Sequence, residues 1–144
     1  MLPDLNIRPA LALDEKPLND LIEIIGPECL CRRLYAVSVE TSQTLVAIQT
    51  GQLVGFVSWQ QDEMQAVIVG LGVGVNHRRF GVATLLVDAL STHLRDAGLR
   101  LLEVAVPHGC TFAAPIFELG RFRQIGQNTK GDFFFERRLW GRRN

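Results

Sequence analysis

The stretch from Val69 to Thr84, Val-Gly-Leu-Gly-Val-Gly-Val-Asn-His-Arg-Arg-Phe-Gly-Val-Ala-Thr, constrains the fold more than any other part of the chain. In a strand, alternate side chains share a face, so Gly70, Gly72 and Gly74 leave one face bare beside Val69, Leu71, Val73 and Val75. Glycine weakens a strand, so three on one face need a reason: another backbone, a helix or a ligand comes close. A helix packed tightly on the sheet accounts for the bare face as well as a ligand does.

Arg78-Arg79-Phe80-Gly81-Val82-Ala83 joins that strand to the strongest helical pattern in the chain, Gly81 to Ala97. There Val82, Leu85, Leu86, Ala89, Leu90, His93 and Leu94 follow the helical period, and Gly98 ends it. The first N–H groups of a helix lack internal partners, and its dipole favours an anion there. Small residues at Gly81 and Ala83 admit phosphate oxygens to those groups, with Arg78 or Arg79 adding charge. The segment thus reads either as a pyrophosphate cradle or as an ordinary turn with two solvated arginines. It is not a P-loop, because Gly-x4-Gly-Lys-Ser/Thr is absent. A dinucleotide fingerprint is a poor fit too, since its third glycine falls on Val75.

Around this segment the chain alternates between strand and helix patterns. Leu5 to Pro9 reads as a strand, and Asp14 as the cap of a helix with Leu18, Leu21, Ile22 and Ile25 inward, closed by Gly26 and Pro27. A second helix with Leu30, Leu34 and Val37 on one side follows. Thr44 to Ile48 and Leu53 to Trp59 form a hairpin about Thr50-Gly51-Gln52, and Met64 to Val75 is the glycine strand. After the long helix come a strand at Leu101 to Val106, a short helix at Ala113 to Leu119, and strands near Phe122 to Gln127 and Asp132 to Leu139. The order β-α-α-β-β-β-α-β-α-β-β describes a mixed α/β domain around one sheet, without the regular alternation of a doubly wound fold.

Composition bounds the function. A chain of 144 residues has the size of a single domain over 1–144. Lys plus Arg equal Asp plus Glu at 15 each, which argues against a dedicated nucleic-acid or anionic-membrane binder. The start lacks the basic and apolar regions of a signal peptide, and the apolar run Ala66 to Val75 is too short to span a bilayer. Cys29, Cys31 and Cys110 are odd in number and lack the partners of a zinc site, so no metal is expected and reduced thiols in the cytoplasm are the reading. Phe133-Phe-Phe135 suits the core on one face and a contact on the other, an arrangement compatible with a homodimer. The basic tail Arg137, Arg138, Arg142 and Arg143 reads as solvated.

With these residues in place the chain resembles the GCN5-related N-acetyltransferases (GNAT). Their acetyl-CoA motif, Arg/Gln-x-x-Gly-x-Gly/Ala, is matched by Arg78 to Ala83, after a strand like Leu71-x-Val73 and before Thr84-Leu85-Leu86. Leu53 to Val57 resembles the strand preceding the motif strand, and Leu102 to Val104 the strand following the helix. The resemblance covers nearly the whole chain and implies a mostly antiparallel sheet flanked by helices. It also implies that the backbone of Arg79, Phe80, Gly81, Val82, Ala83 and Thr84 binds the coenzyme pyrophosphate, while Leu71 to Val73 pairs with the pantetheine arm and aims an amide at the thioester oxygen. The reaction implied is direct acyl transfer from acetyl-CoA to an amine of a small molecule or protein, with no covalent enzyme intermediate. That chemistry asks for positioning and an oxyanion donor.

Two departures qualify the resemblance. Aligned on Phe122, the position of the family's usual tyrosine acid is Phe117, Ala113 keeps the alanine, Cys110 takes the asparagine site beside the coenzyme, and Arg121 replaces a glycine. The only tyrosine, Tyr35, lies in the second helix. The middle of the motif strand, Ala66 to Val69, carries no carboxylate, and Asp62 and Glu63 come too early and read as solvated hairpin residues. Glu103 is then the first candidate base, standing where some relatives that acetylate protein N-termini carry a glutamate, and an outward-facing charge is its other reading. His108, just past that strand, is the second. His77 reads as a turn residue and His93 as a partly buried helix residue. A non-catalytic acyl-CoA-binding module that lost its acid and base is the alternative to an enzyme.

Overall fold

The computed structural model describes residues 4–25, 43–108, 110 and 113–139, with backbone alone at 78–80 and 119. The expected second helix with Tyr35, the closing Gly26 and Pro27, Cys29, Cys31, Arg142 and Arg143 lie outside the described residues. Among the described residues seven strands and three α-helices follow one another as β1 (Leu5–Pro9), α1 (Glu15–Ile25), β2 (Gln43–Gln49), β3 (Gln52–Asp62), β4 (Gln65–Val73), α2 (Val82–Asp96), β5 (Leu101–Val106), α3 (Ala114–Leu119), β6 (Arg123–Gln127) and β7 (Phe133–Arg138). They form one sheet in the order β1-β2-β3-β4-β5-β7-β6. Every neighbouring pair is antiparallel except β4 and β5, which α2 joins as a crossover. The mixed, mostly antiparallel sheet flanked by helices is the expected fold.

The β2–β3 hairpin turns on two residues with positive φ, Thr50 at 53° and Gly51 at 76°. That twist matches the flanking strands, and glycine takes it without strain. Along β2, Leu45 and Ala47 pack with α2, whereas Val46 packs with Leu18, Leu21, Ile22 and Ile25 of α1. Successive side chains alternate across a strand, so α1 and α2 cover opposite faces.

Helix α2 buries Val82, Ala83, Leu86, Val87, Leu90 and Leu94. Leu85, expected inward, and His93, expected to be partly buried, are exposed, and the His93 ring meets Trp59 edge-on, with 5.5 Å between ring centroids. Apolar residues occupy more than one face of this helix, and Ala83 and Val87 pack inward in place of Leu85 and His93.

Asp14 also differs from its expected role. It lies inside a 3₁₀ turn, Ala12–Asp14, ahead of α1, and is buried. The Leu11 N–H donates to its Oδ2 at 2.7 Å, and Arg8 Nη1 and Nη2 donate to Oδ2 and Oδ1 at 2.7 and 3.1 Å. The Arg8 hydrogen bond outweighs burial and holds the Asp14 carboxyl below the usual range. Its stabilisation is therefore complete above the unfolded-aspartate value of about 3.9 and is lost as pH falls through the lower folded value. Asp14→Asn is expected to cost about 1–3 kcal/mol at pH 7, because a charged hydrogen-bond partner of Arg8 is lost. Urea unfolding at pH 7 and pH 3 checks this, with the gap between variant and parent narrowing at the lower pH.

Candidate functional site

An irregularity in β4 builds the site. Gly70 pairs with Ser58 and Ile68 with Trp59, so Val69 is an extra residue, a β-bulge. The bulge resets the alternation, and Ala66, Ile68, Leu71 and Val73 all reach the core beneath α2. Gly70 and Gly72 consequently belong to the other face, as does Gly74, where a Cβ would stand 3.7 Å from Leu21 Cδ1 of α1. The glycine face is thus the one opposite the long helix. The strand also ends at Val73, earlier than expected, and Val75 is 66% exposed in a 3₁₀ turn, Val75–Phe80.

Beyond the bulge the two parallel strands part. Pairing of β4 with β5 stops at Ile68 opposite Val104, while β4 runs on beside β3 to Val73 and β5 runs on beside β7 to Val106. The Gly74 N–H donates to the Val54 carbonyl at 2.8 Å, which assigns Gly70, Gly72 and Gly74 to the hydrogen-bonded positions facing β3. By the same alternation the backbone N–H and C=O of Leu71 point into the opening between β4 and β5, and Val73 presents the same edge of the strand. A strand edge facing a gap can take an extended chain of amides.

After the 3₁₀ turn that follows β4, Gly81 has φ of 76° and leads into α2, whose first helical bond runs from the Leu85 N–H to the Gly81 carbonyl at 3.0 Å. The N–H groups of Val82, Ala83 and Thr84 are left without helical partners. Among the described residues no side chain caps this end and no acidic residue stands in its first turn, so none of them neutralises the positive end of the helix dipole. Nothing lies within 4 Å of where a Gly81 Cβ would be, and Thr84 is exposed beside it. The backbone of Arg78, Arg79 and Phe80 completes the 3₁₀ turn, and their side chains lie outside the described residues.

Glu103 is half-buried on β5, one residue before the pairing with β4 ends. It faces away from Leu102, Val104 and Val106, which are buried under α2 and α3, and so shares the face of Gly70 and Gly72. Its neighbours across the sheet are Val67 and Glu136. Glu136 is held by Arg123 at 2.6 Å, whereas the Glu103 side chain makes no hydrogen bond or ion pair among the described residues. His108 is exposed past the end of β5; its N–H donates to Asp132 Oδ1 at 2.8 Å and its ring lies against Gly131. Cys110 is a free, half-buried thiol in the turn before α3: its N–H donates to the Pro107 carbonyl at 3.0 Å, and its own carbonyl accepts from the Ala114 N–H at 3.3 Å. The structure therefore turns the backbone of β4 beyond the bulge towards the opening beside β5, leads from the end of β4 through Gly81 into the first turn of α2, sets Glu103 at the edge of the opening, and ties His108 to the β6–β7 loop.

Phe117 is fully buried between Phe122 and Phe135, with ring centroids 4.9 and 5.9 Å away. No hydroxyl stands at this position. Asp62 and Glu63 are exposed at the β3–β4 turn, as expected. Arg137, expected to be solvated, is only 12% exposed: its Nη1 donates to Asp88 Oδ1 and Ser91 Oγ of α2 at 3.1 and 2.8 Å, and its guanidinium lies over the Phe122 ring. Strand alternation turns it towards α2, a consequence invisible in a run of arginines at a chain end. Among the described residues no group of His, Cys, Asp or Glu could hold a metal ion, and no helix is long and apolar enough to cross a membrane.

These features define a mixed α/β protein whose one parallel strand pair parts beside an anion-receptive helix start. The acetyltransferase (GNAT) family model matches residues 12–120, and the chain belongs to that family. Solved structures with the same fold include Ard1 from Thermoplasma volcanium, 17% identical with a TM-score of 0.80 over 96% of this chain and 99% of that one. An aminoglycoside 6′-N-acetyltransferase complexed with coenzyme A is 17% identical with a TM-score of 0.78 over 96% and 99% of the two chains. The PaiA N-acetyltransferase from Thermoplasma acidophilum, in complex with coenzyme A, is 12% identical with a TM-score of 0.75 over 93% and 98%. Comparison with curated proteins gives no match.

Proposed function

We propose that this protein is an acetyl-CoA-dependent N-acetyltransferase acting on an amine of a small molecule or protein. The observation that carries the reading is the uncapped start of α2 beside the parting of β4 and β5. The N–H groups of Val82, Ala83 and Thr84 would receive the coenzyme pyrophosphate, with Gly81 leaving the approach open. The backbone of Leu71, with Val73 following it on the same strand, would pair with the amides of the pantetheine arm, and an N–H of that strand would meet the thioester oxygen as charge develops on it.

In the reaction the amine nitrogen attacks the thioester carbonyl carbon, the C–S bond breaks, and the coenzyme leaves as thiolate. Glu103 accepts the proton that the attacking amine must shed. A protein α-amine near pKa 8 costs about 1.4 kcal/mol to deprotonate at pH 7, against roughly 4–5 kcal/mol for a lysine amine. A thiol of pKa about 8.5 costs only about 2 kcal/mol to expel as thiolate at pH 7, so the hydroxyl missing at Phe117 slows the step without blocking it. That same absence favours a second reading, a coenzyme-binding module without turnover. Release of free thiol from acetyl-CoA across a panel of amines separates the two. Measured coenzyme binding with no thiol released by any amine would sink the enzyme reading.

Gly81→Ala tests the cradle. The residue is held at φ of 76°, where alanine is strained, and its added methyl would occupy the approach to the helix start. Acetyl-CoA affinity is expected to fall at least about tenfold, with a stability loss of roughly 1 kcal/mol. Gly98→Ala, at φ of 93° and also with open space around it, bears the same kind of strain away from the cradle. Calorimetric titration should show that control binding like the parent.

A further inference from the structure

One row of side chains crosses four strands beside the opening: Val67, Glu103, Glu136 and Arg123 stand in register on β4, β5, β7 and β6. Neighbouring strands lie about 4.8 Å apart, so the two glutamates of this row are immediate neighbours. Phe135 and Arg137 turn to Phe117 of α3 and Asp88 of α2, so Glu136 lies on the other face, the glycine face, with Glu103. Like charges directly opposite one another destabilise a sheet. Here they are also sheltered from water, since Glu103 is half-buried and the Glu136 side chain is 15% exposed.

The two carboxylates are not equivalent. Arg123 Nη2 donates to Glu136 Oε2 at 2.6 Å, on the β6 side, and fixes one charge in place. The Glu103 side chain makes no hydrogen bond or ion pair among the described residues. Its other neighbours on this face are Val67, Leu101 and Ala105, with Phe134 and Arg138 diagonally across on β7. Arg138 is exposed and forms no ion pair with it. Ala105 is small and exposed, and it belongs to the part of β5 that has left β4. A fixed negative charge on the β7 side and open space beside Ala105 leave the Glu103 carboxylate one favourable direction.

We propose that Glu136, anchored by Arg123, is a positioning residue that turns the Glu103 carboxylate towards the opening between β4 and β5. The inference rests on the acetyltransferase reading in which Glu103 takes the proton of the attacking amine. Glu136 does not touch the amine; its charge keeps Glu103 from folding back onto β7. Arg123 in turn holds Glu136 towards β6, so that it repels Glu103 without competing for the incoming ammonium. The repulsion costs stability, and that cost is measurable without turnover.

Two double-mutant cycles test the proposal, one on thiol release from acetyl-CoA with an amine and one on stability. Glu136→Gln, nearly unchanged in size, is expected to lower turnover about tenfold with coenzyme affinity unchanged. In the Glu103→Gln background the same change should alter turnover less than about twofold, because no carboxylate is left to be turned. The charge swap Arg123→Glu/Glu136→Arg keeps an ion pair at this place but sets a cation against Glu103. It should keep the circular dichroism of the parent and lose turnover about as far as Glu103→Gln, since the guanidinium captures the carboxylate. Should the swap not fold, Glu136→Gln and its cycle decide alone. In urea unfolding at pH 7, Glu103→Gln should raise the midpoint of the parent, and the gain should vanish where Glu136→Gln is already present. Parental turnover in Glu136→Gln or in the folded swap overturns the proposal. An equal loss from Glu136→Gln with and without the Glu103 carboxylate overturns it as well, because a merely structural residue behaves that way. If Glu103→Gln alone keeps parental turnover, the base is another group and the proposal falls with it. Absence of thiol release from the parent would instead count against the acetyltransferase reading. The urea cycle then decides the pair, and additive midpoint shifts overturn the coupling.

Discussion

Replacing Glu103 with glutamine is expected to lower turnover by about two to four orders of magnitude and to leave coenzyme affinity unchanged. The side chain is half-buried at the edge of the opening, on the glycine face, and no partner among the described residues occupies its carboxylate. Glutamine keeps the size and the hydrogen-bonding reach while removing the ability to take a proton. The pH profile makes the test specific. An amine near pKa 8 sheds its own proton as pH rises past that value, so the deficit of the variant should shrink above about pH 8. A purely structural role for Glu103 would lower activity equally at every pH. Turnover equal to the parent at pH 7 would show that the base is another group or water.

Phe117→Ala is expected to destabilise the protein by about 3–5 kcal/mol, measured by urea unfolding. The ring is fully buried, packs edge-on to Phe122 and tilted against Phe135, and joins α3 to β7. Removing it leaves a cavity that three separate elements border, and none can close it alone. The position aligns with a tyrosine acid in the family, yet here it serves the core. A stability loss under about 1 kcal/mol would contradict that role.

Several elements could be read directly from the residues. Leu5–Pro9 and Leu101–Val106 are strands with the expected bounds, because short runs with apolar residues at alternate positions that end at or beside a proline have few alternatives. The Gly81 turn was equally plain, since small residues before a strong helical period permit few other conformations. The bulge at Val69 was hidden. Every residue from Ala66 to Val75 is apolar or glycine, so a one-residue reset of the alternation changes no visible pattern. Helix α2 misled for a related reason: apolar residues on several faces cannot say whether Leu85 or Val87 goes inward. Arg137 was misplaced because its partners, Asp88 and Ser91, are 49 and 46 residues away.

By itself the sequence determined the family, through Arg78 to Ala83 with the flanking strand patterns Leu53 to Val57 and Leu102 to Val104, and it pointed to the start of α2 as the place for the proposed coenzyme cradle. The tertiary structure alone decided where β4 and β5 part, which face carries the glycines and Glu103, that Phe117 is core, and that Glu136 stands directly across from Glu103. Those features depend on register and packing between segments far apart in the chain, and no local period encodes them.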